Sequence, residues 1–375
     1  MSIGDTMKKF IKTILITVLA VACVFSAFAC DTNGGSKKDP GLNYKVKNGE
    51  DFYTVNGYVK EENVTVLDLG KYNKNDVVIG RIASGAFSGN DSIKELIIPE
   101  TVTEIAQGAF KNMKKLEKIT VPFIGKNANA DAFFKETESG HDKSVDVERT
   151  FAYFFGTEAY DGGAKMVSDF GDGNSITYYV SPYLKEVTIT CADQDREAYS
   201  IPMYAFKDVT VIDTVNLVGN IKAIGSNAFN GCHALSKINL PKSVENIYSY
   251  AFAKTVNLDE GFSIENGSAL KKIDKNAFEG CSKLSSLVLP STVTEIGAMA
   301  FKDSNIKEIT LSRDLTLIGA YAFYNCQNLS VVNESNVSGT VKLMNNAFEA
   351  CKNLDADTLT KIDTTGSSNV FYGTK

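Results

Sequence analysis

Tryptophan is absent from this chain, and its 375 residues include only two histidines and seven prolines. Each scarcity excludes something. Without tryptophan the widest ring for stacking on a sugar is missing. The two histidines, His141 and His233, have no partner at ligand spacing, because no HExxH, no CxxC and no third ligand accompanies them; a metal centre is therefore not expected. No phosphate loop occurs either, since the glycines of "IGRIASGAF" do not follow dinucleotide spacing. Acidic residues outnumber basic ones by 45 to 39, giving a net charge of -6, and this lacks the basic excess of a nucleic-acid binder. No pair of carboxylates stands above the background of an acidic protein. The expectation is a non-enzyme with no cofactor and no nucleic-acid partner.

What is present begins with a segment of separate character. "MKKFIKTILITVLAVACVFSAFAC" places Lys8, Lys9 and Lys12 before an apolar run that ends in small residues and Cys30, the pattern of a secretory signal. "DTNGGSKKDPG" follows, small and polar, and reads as a tether. The end of the signal, "SAFAC", resembles the lipobox of bacterial lipoproteins, with Ala27 and Phe28 departing from its usual residues. The resemblance implies that Cys30 is lipidated and anchors the chain at the extracellular face of a bacterial membrane. Cleavage after Ala29 without lipid, which releases a secreted protein, stays open as the alternative.

The rest of the chain repeats. Taking the phenylalanine of each "AF" pair as a marker gives Phe87, Phe110, Phe133, Phe206, Phe229, Phe252, Phe278, Phe301, Phe323 and Phe348, with Phe371 in "NVFYG" lacking its alanine. Apart from one gap of 73, the steps run from 22 to 26 residues. A period of that length with a recurring apolar skeleton predicts stacked coils, a solenoid. "INLPKSVENIYSYAF" and "LVLPSTVTEIGAMAF" show the unit. An alternating apolar triplet suits a short strand, and proline, which has no amide hydrogen for a ladder, stops it. A second apolar pair follows, as in Val102 with Ile105 or Val293 with Ile296. No unit can bury a core alone, but coils stacked at about 4.8 Å share one. The outward strand positions, among them Lys94, Glu95, Lys118, Lys237, Ser285, Ser286, Lys307 and Glu308, are expected to line an exposed face of mixed charge.

The motif "L..I.LP..V..IG..AF..C..L", whole in "LSSLVLPSTVTEIGAMAF" and recurring from about residue 60 to residue 371, resembles the BspA-like, or Treponema pallidum type, leucine-rich repeat. The resemblance implies a helix-poor, right-handed leucine-rich-repeat coil of about eleven units with short parallel strands, in a cell-surface protein that binds host or bacterial proteins or glycans.

In the same register, Cys232, Cys281, Cys326 and Cys351 each follow a marker by three residues, where other units carry Asn90, Met113 or Ser304. That column reads as a small, semi-buried slot and not as a set of metal ligands. The gap of 73 holds an insert of about 50 residues rich in aromatics. Phe151, Tyr153, Tyr160, Tyr178, Tyr179 and Tyr183 are its candidate interaction residues, because insertions in solenoids gather on one face. The bland alternative is that these rings form the insert's own small core. "DFGDGNS" lacks the closing glutamate of a calcium loop and reads as a turn.

The resulting organisation is a signal at 1–29, a tether at 30–45, a cap and irregular first coil at 46–80, repeats at 81–133, the insert at 134–183, repeats at 184–371 and a tail at 372–375. Three functions compete: non-catalytic recognition or adhesion at the cell surface, a carbohydrate-binding accessory protein or enzyme using the insert, and a structural envelope protein with no specific ligand.

Overall fold

The computed structural model describes residues 41–45, 52–59, 64–73, 78–128, 147–171, 174–191, 199–259 and 261–374. The signal segment, Cys30, Phe133 and His141 lie outside them.

The apolar triplets form a parallel ladder, called the first ladder here. Its strands are Val66–Asp68, Glu95–Ile97, Lys118–Val121, Glu186–Ile189, Thr214–Leu217, Lys237–Leu240 and Gly261–Ile264, each paired with the next. The alternation works as the pleat demands: Leu67, Leu96, Ile119, Val187, Val215, Ile238 and Phe262 face inward and are buried. Where proline follows a strand, its carbonyl accepts from the amide three residues on, Val102 to Pro99 at 3.0 Å and Val293 to Pro290 at 3.1 Å. Proline thus ends the ladder and closes the turn after it.

The ladder is interrupted once. Strands Ser286–Val288, Glu308–Thr310 and Val331–Asn333 form a separate sheet. The coil before the break is three residues longer than its neighbours, and it lodges Phe262 edge-on between Phe252 and Phe278, with ring centroids 5.6 and 5.3 Å away.

The second apolar pair of each unit does more than pack. Its isoleucine sits in a further parallel ladder, the second ladder, running through Tyr199–Ile201, Ile221–Ile224, Asn246–Ile247, Lys272–Ile273, Glu295–Ile296, Leu317–Ile318, Val341–Leu343 and Ile362–Asp363. A corresponding sheet at the amino-terminal end joins Phe52–Tyr58, Val78–Ile82 and Glu104–Ile105. There Leu42–Lys45 pairs antiparallel with Phe52–Tyr58 and, with Leu42 and Val55 buried, closes that end of the interior.

On the remaining side lie the marker rings. From Phe206 to Phe371 consecutive rings stack at 5.0–5.8 Å with planes within 13° of parallel. Each described marker is bracketed by two left-handed residues, two positions before and two after, as in Asn276 and Gly280 around Phe278 or Met299 and Asp303 around Phe301. These paired reversals turn the chain tightly enough to aim one ring at the centre of every coil. Buried apolar residues from Leu42 to Val370 form one continuous core.

The insert is partly rod and partly appendage. The amides of Gly108 and Phe110 donate to Tyr153 and Phe154, and the amide of Phe151 donates to Ala205, so residues 151–155 supply the coil between Phe110 and Phe206. Their rings bridge the column, Phe110 to Phe154 at 5.6 Å and Phe151 to Phe206 at 5.1 Å. The appendage is an antiparallel hairpin, Ala164–Gly171 with Asn174–Val180. It lies against the next turn, where Ser168 Oγ donates to the Lys207 carbonyl at 2.7 Å and Phe170 meets Tyr204 edge-on. Thr188 and Ile189 of the strand after the hairpin pair with Thr120 and Val121, so the whole insertion leaves and re-enters one coil.

Candidate recognition surface

The aromatic residues nominated by sequence do not gather into one surface. Phe151, Tyr153 and Tyr178 are buried, Phe151 and Tyr178 completely. Tyr160 is half-buried, its ring packed over Gly163, where a Cβ would come within 2.9 Å of it. Burial pushes the Tyr160 hydroxyl up to about 12. Tyr179 is also half-buried, and Tyr183 is 60% exposed. Interior packing therefore accounts for most of the cluster, and one ring stands out on the surface.

The cysteine slot is deeper than its composition suggests. Cys281, Cys326 and Cys351 are fully buried and Cys232 nearly so. Each donates to the marker carbonyl of the coil before, Cys281 Sγ to Phe252 at 3.1 Å and Cys351 Sγ to Phe323 at 3.0 Å. Thr255 fills the same role in its coil, donating to Phe229 at 2.9 Å. The slot is a buried site for a small or slender side chain, and where cysteine or threonine fills it the donor is used on the preceding marker carbonyl, while Met113 and Val209 fill it by packing alone. The thiols are free, and burial pushes Cys281 up to about 12 and Cys232 higher still. A thiol held protonated is a poor nucleophile, so Cys232 beside His233 is scaffold. Among the described residues no group of three or more histidine, cysteine or acidic side chains could hold a metal.

The outward side chains of the two ladders differ. On the second ladder several are charged and matched between successive coils, Lys222 with Glu245 at 3.1 Å, Glu245 with Lys271 at 2.8 Å and Lys272 with Glu295 at 3.1 Å, among uncharged neighbours such as Asn246 and Leu317; in the amino-terminal sheet Arg81 pairs with Glu104 at 3.0 Å in the same way. The two lysines facing Glu245 hold its carboxyl below the ordinary range.

On the first ladder the leading outward position is charged in four strands, at Glu95, Lys118, Glu186 and Lys237, with the mixed sign anticipated above. Lys94 pairs with Glu117 at 2.7 Å and Lys118 with Glu186 at 2.8 Å. Two residues further along, the outward position is uncharged over five consecutive coils: Thr120, Thr188, Asn216, Asn239 and Ser263. Asn216 Nδ2 donates to Thr188 Oγ1 at 3.2 Å, and Ser263 Oγ donates to Asn239 Oδ1 at 2.8 Å. Sequence reasoning named the charged positions and missed this row. Its signal was the second outward residue of every triplet, which alternation already placed on the surface.

A row of amides and hydroxyls at the strand spacing of about 4.8 Å both donates and accepts hydrogen bonds without carrying charge. It suits an extended polar ligand.

Compared with known families, the chain matches the model for the BspA type leucine-rich repeat region, six copies, over residues 74–144, 176–267, 199–330 and 260–375. No curated protein matches it. Among solved structures it is similar to a leucine-rich repeat protein from Bacteroides ovatus, at 19% identity over 90% of this chain and 92% of that one with a TM-score of 0.32. It is similar as well to a leucine-rich cell surface protein from Faecalibacterium prausnitzii, at 18% identity over 87% and 95% with a TM-score of 0.32. A leucine-rich repeat protein of T. pallidum aligns at 15% identity over 88% and 98% with a TM-score of 0.27.

Proposed function

The chain belongs to the BspA-type leucine-rich repeat family, and from that premise we propose that it is a non-catalytic recognition protein that binds a protein or glycan along its first ladder. The uncharged row from Thr120 to Ser263 carries this reading. It is a surface whose polar groups are regularly spaced and uncharged, while on the second ladder Lys222, Glu245, Lys271, Lys272 and Glu295 are taken up in ion pairs. Adhesion to a host or bacterial surface is the finer form of the proposal.

The placement proposed is outside the cell, with the chain tethered through lipid on Cys30 or, if that lipid is absent, secreted. Among the described residues no helix is long and apolar enough to cross a membrane. Incorporation of radiolabelled palmitate, abolished by Cys30→Ser, tests the tether.

Binding is tested by applying the purified chain to immobilised protein and glycan arrays beside an Asn216→Ala/Asn239→Ala variant. Saturable binding that the double variant loses supports the reading; binding that it keeps refutes it. The insert offers a second route to carbohydrate, favoured by the exposure of Tyr183 alone.

A further inference from the structure

Among the described residues, two cysteines occupy consecutive slots in one place alone, at Cys326 and Cys351. Thr255 separates Cys232 from Cys281, and Ser304 separates Cys281 from Cys326. The two coils that carry Cys326 and Cys351 are held in close register. Their marker rings, Phe323 and Phe348, stack at 5.0 Å with planes 3° apart. The amides of Phe323 and Asn325 donate to Ala347 and Glu349 at 2.8 and 2.9 Å, which carries the same register up to the slot itself. Equivalent residues are therefore one coil apart, within the Cα separation of about 4.4–6.8 Å that a disulfide spans.

Side chains in neighbouring slots also touch. Ser304 Oγ lies 3.4 Å from Cys326 Sγ, and one coil further on the Cys326 and Cys351 thiols are hydrogen-bonded to each other. The two sulfurs also donate to the Phe301 and Phe323 carbonyls, each at 3.0 Å. Those carbonyls accept as well from the amides of Ser304 and Cys326, at 3.0 and 3.1 Å. Removing both thiol hydrogens therefore leaves neither carbonyl without a partner.

We propose that Cys326 and Cys351 close into a disulfide that staples the two coils, and that the structure, in which both are free, is the reduced form. The inference rests on the chain being exported, as proposed above, because structural disulfides persist in oxidising compartments. The oxidant is itself a disulfide. One cysteine thiolate displaces a sulfur from it to give a mixed disulfide, and the other cysteine then displaces the oxidant's remaining sulfur. The two cysteines lose two protons and two electrons in all, and the oxidant leaves as two thiols. The exchange takes place before the coils seal. Once they have, both sulfurs are fully buried, and the neighbouring thiol, followed by burial, pushes the Cys351 thiol well above its ordinary range. The bond joins residues 25 apart in the sequence, which restricts the unfolded chain and fastens the last coils of the rod.

The test refolds the purified full chain from denaturant with either oxidised glutathione or dithiothreitol, then alkylates the free thiols after a second denaturation. Peptide mass mapping of the glutathione sample is expected to find Cys326 linked to Cys351, two hydrogens lighter, with Cys232 and Cys281 alkylated. The oxidised chain is expected to melt about 5 °C above the reduced one. Cys326→Ser and Cys351→Ser should each abolish that difference, and serine already fills the slot at Ser304.

Recovery of both cysteines alkylated after oxidative refolding, or a link from either to another cysteine, overturns the proposal and leaves the recognition surface standing. Should the purified chain form the link while chain harvested from its own cells carries both thiols free, the pairing stands and the export it relies on fails.

Discussion

The two ladders are built from the same coils and rest on the same interior, yet they treat their outward side chains in opposite ways. The second ladder carries charges matched across coils, so that Glu245 is gripped from both sides by Lys222 and Lys271. Over five coils the first ladder carries amides and hydroxyls bonded to neighbouring coils, Asn216 to Thr188 and Glu186, and Asn239 to Ser263 and Glu265, with Asn239 and Ser263 exposed. Burial pressure is equal on both, because the inward isoleucines, valines and leucines are equally enclosed. The difference is therefore not one of folding. Both surfaces are bonded within themselves, one largely by ion pairs and the other, along its second outward row, by uncharged amides and hydroxyls.

The comparison can be broken most forcefully from inside. Phe278 lies between Phe252 and Phe301 in the ring column, stacked at 5.2 and 5.3 Å. Phe278→Ala is expected to cost about 3–5 kcal/mol, read by denaturant unfolding, and to loosen both ladders together. A second substitution acts between coils. A Cβ on Gly297 would lie 2.7 Å from backbone atoms of Asp274 and Lys275. Gly297→Ala should destabilise by about 1–3 kcal/mol, lowering the melting temperature without touching either outward surface.

Much of this interior was legible in the sequence. The marker phenylalanines, the strand triplets and the prolines recur too regularly to be missed, and repetition itself substitutes for an alignment. Other features were hidden for physical reasons. The second ladder is only two residues wide in several coils, such as Glu295–Ile296, too short for any periodicity to reveal. Left-handed residues are easily foreseen at Gly280 and not at Met299 or Tyr321, where the stack of neighbours imposes a conformation that the residue does not favour. The insert's rings were ambiguous because an aromatic residue serves a core and a surface equally well. Phe151 proved to be a column ring displaced by insertion, and only three-dimensional register distinguishes it from Tyr183.

Smaller perturbations sharpen the contrast between the surfaces. Glu245→Gln is expected to cost a few tenths of a kcal/mol, since its pairs are partly exposed and screened by salt. Because the folded carboxyl titrates below its unfolded value, that contribution is present at neutral pH and disappears as the pH falls through the depressed folded range. Denaturation of wild type and variant at pH 7 and pH 3 should therefore differ only at the higher pH, and high salt should erase the difference. Asn216→Ala with Asn239→Ala should have the smallest effect on stability, within about 0.5 kcal/mol. The same pair of changes should have the largest effect on ligand binding, measured on the arrays.

The charge alternation of the second ladder also bears on how such a monotonous chain finds its proper threading. Near-identical coils invite a nascent rod to skip one and close over the omission with its apolar interior intact. Lys222, Glu245 and Lys271 stand in line on consecutive coils, so leaving out the middle one sets ammonium against ammonium. Hydrophobic contacts are alike whichever coils meet, whereas facing charges are not, so Lys222, Glu245 and Lys271 favour the native order of these three coils by a small margin.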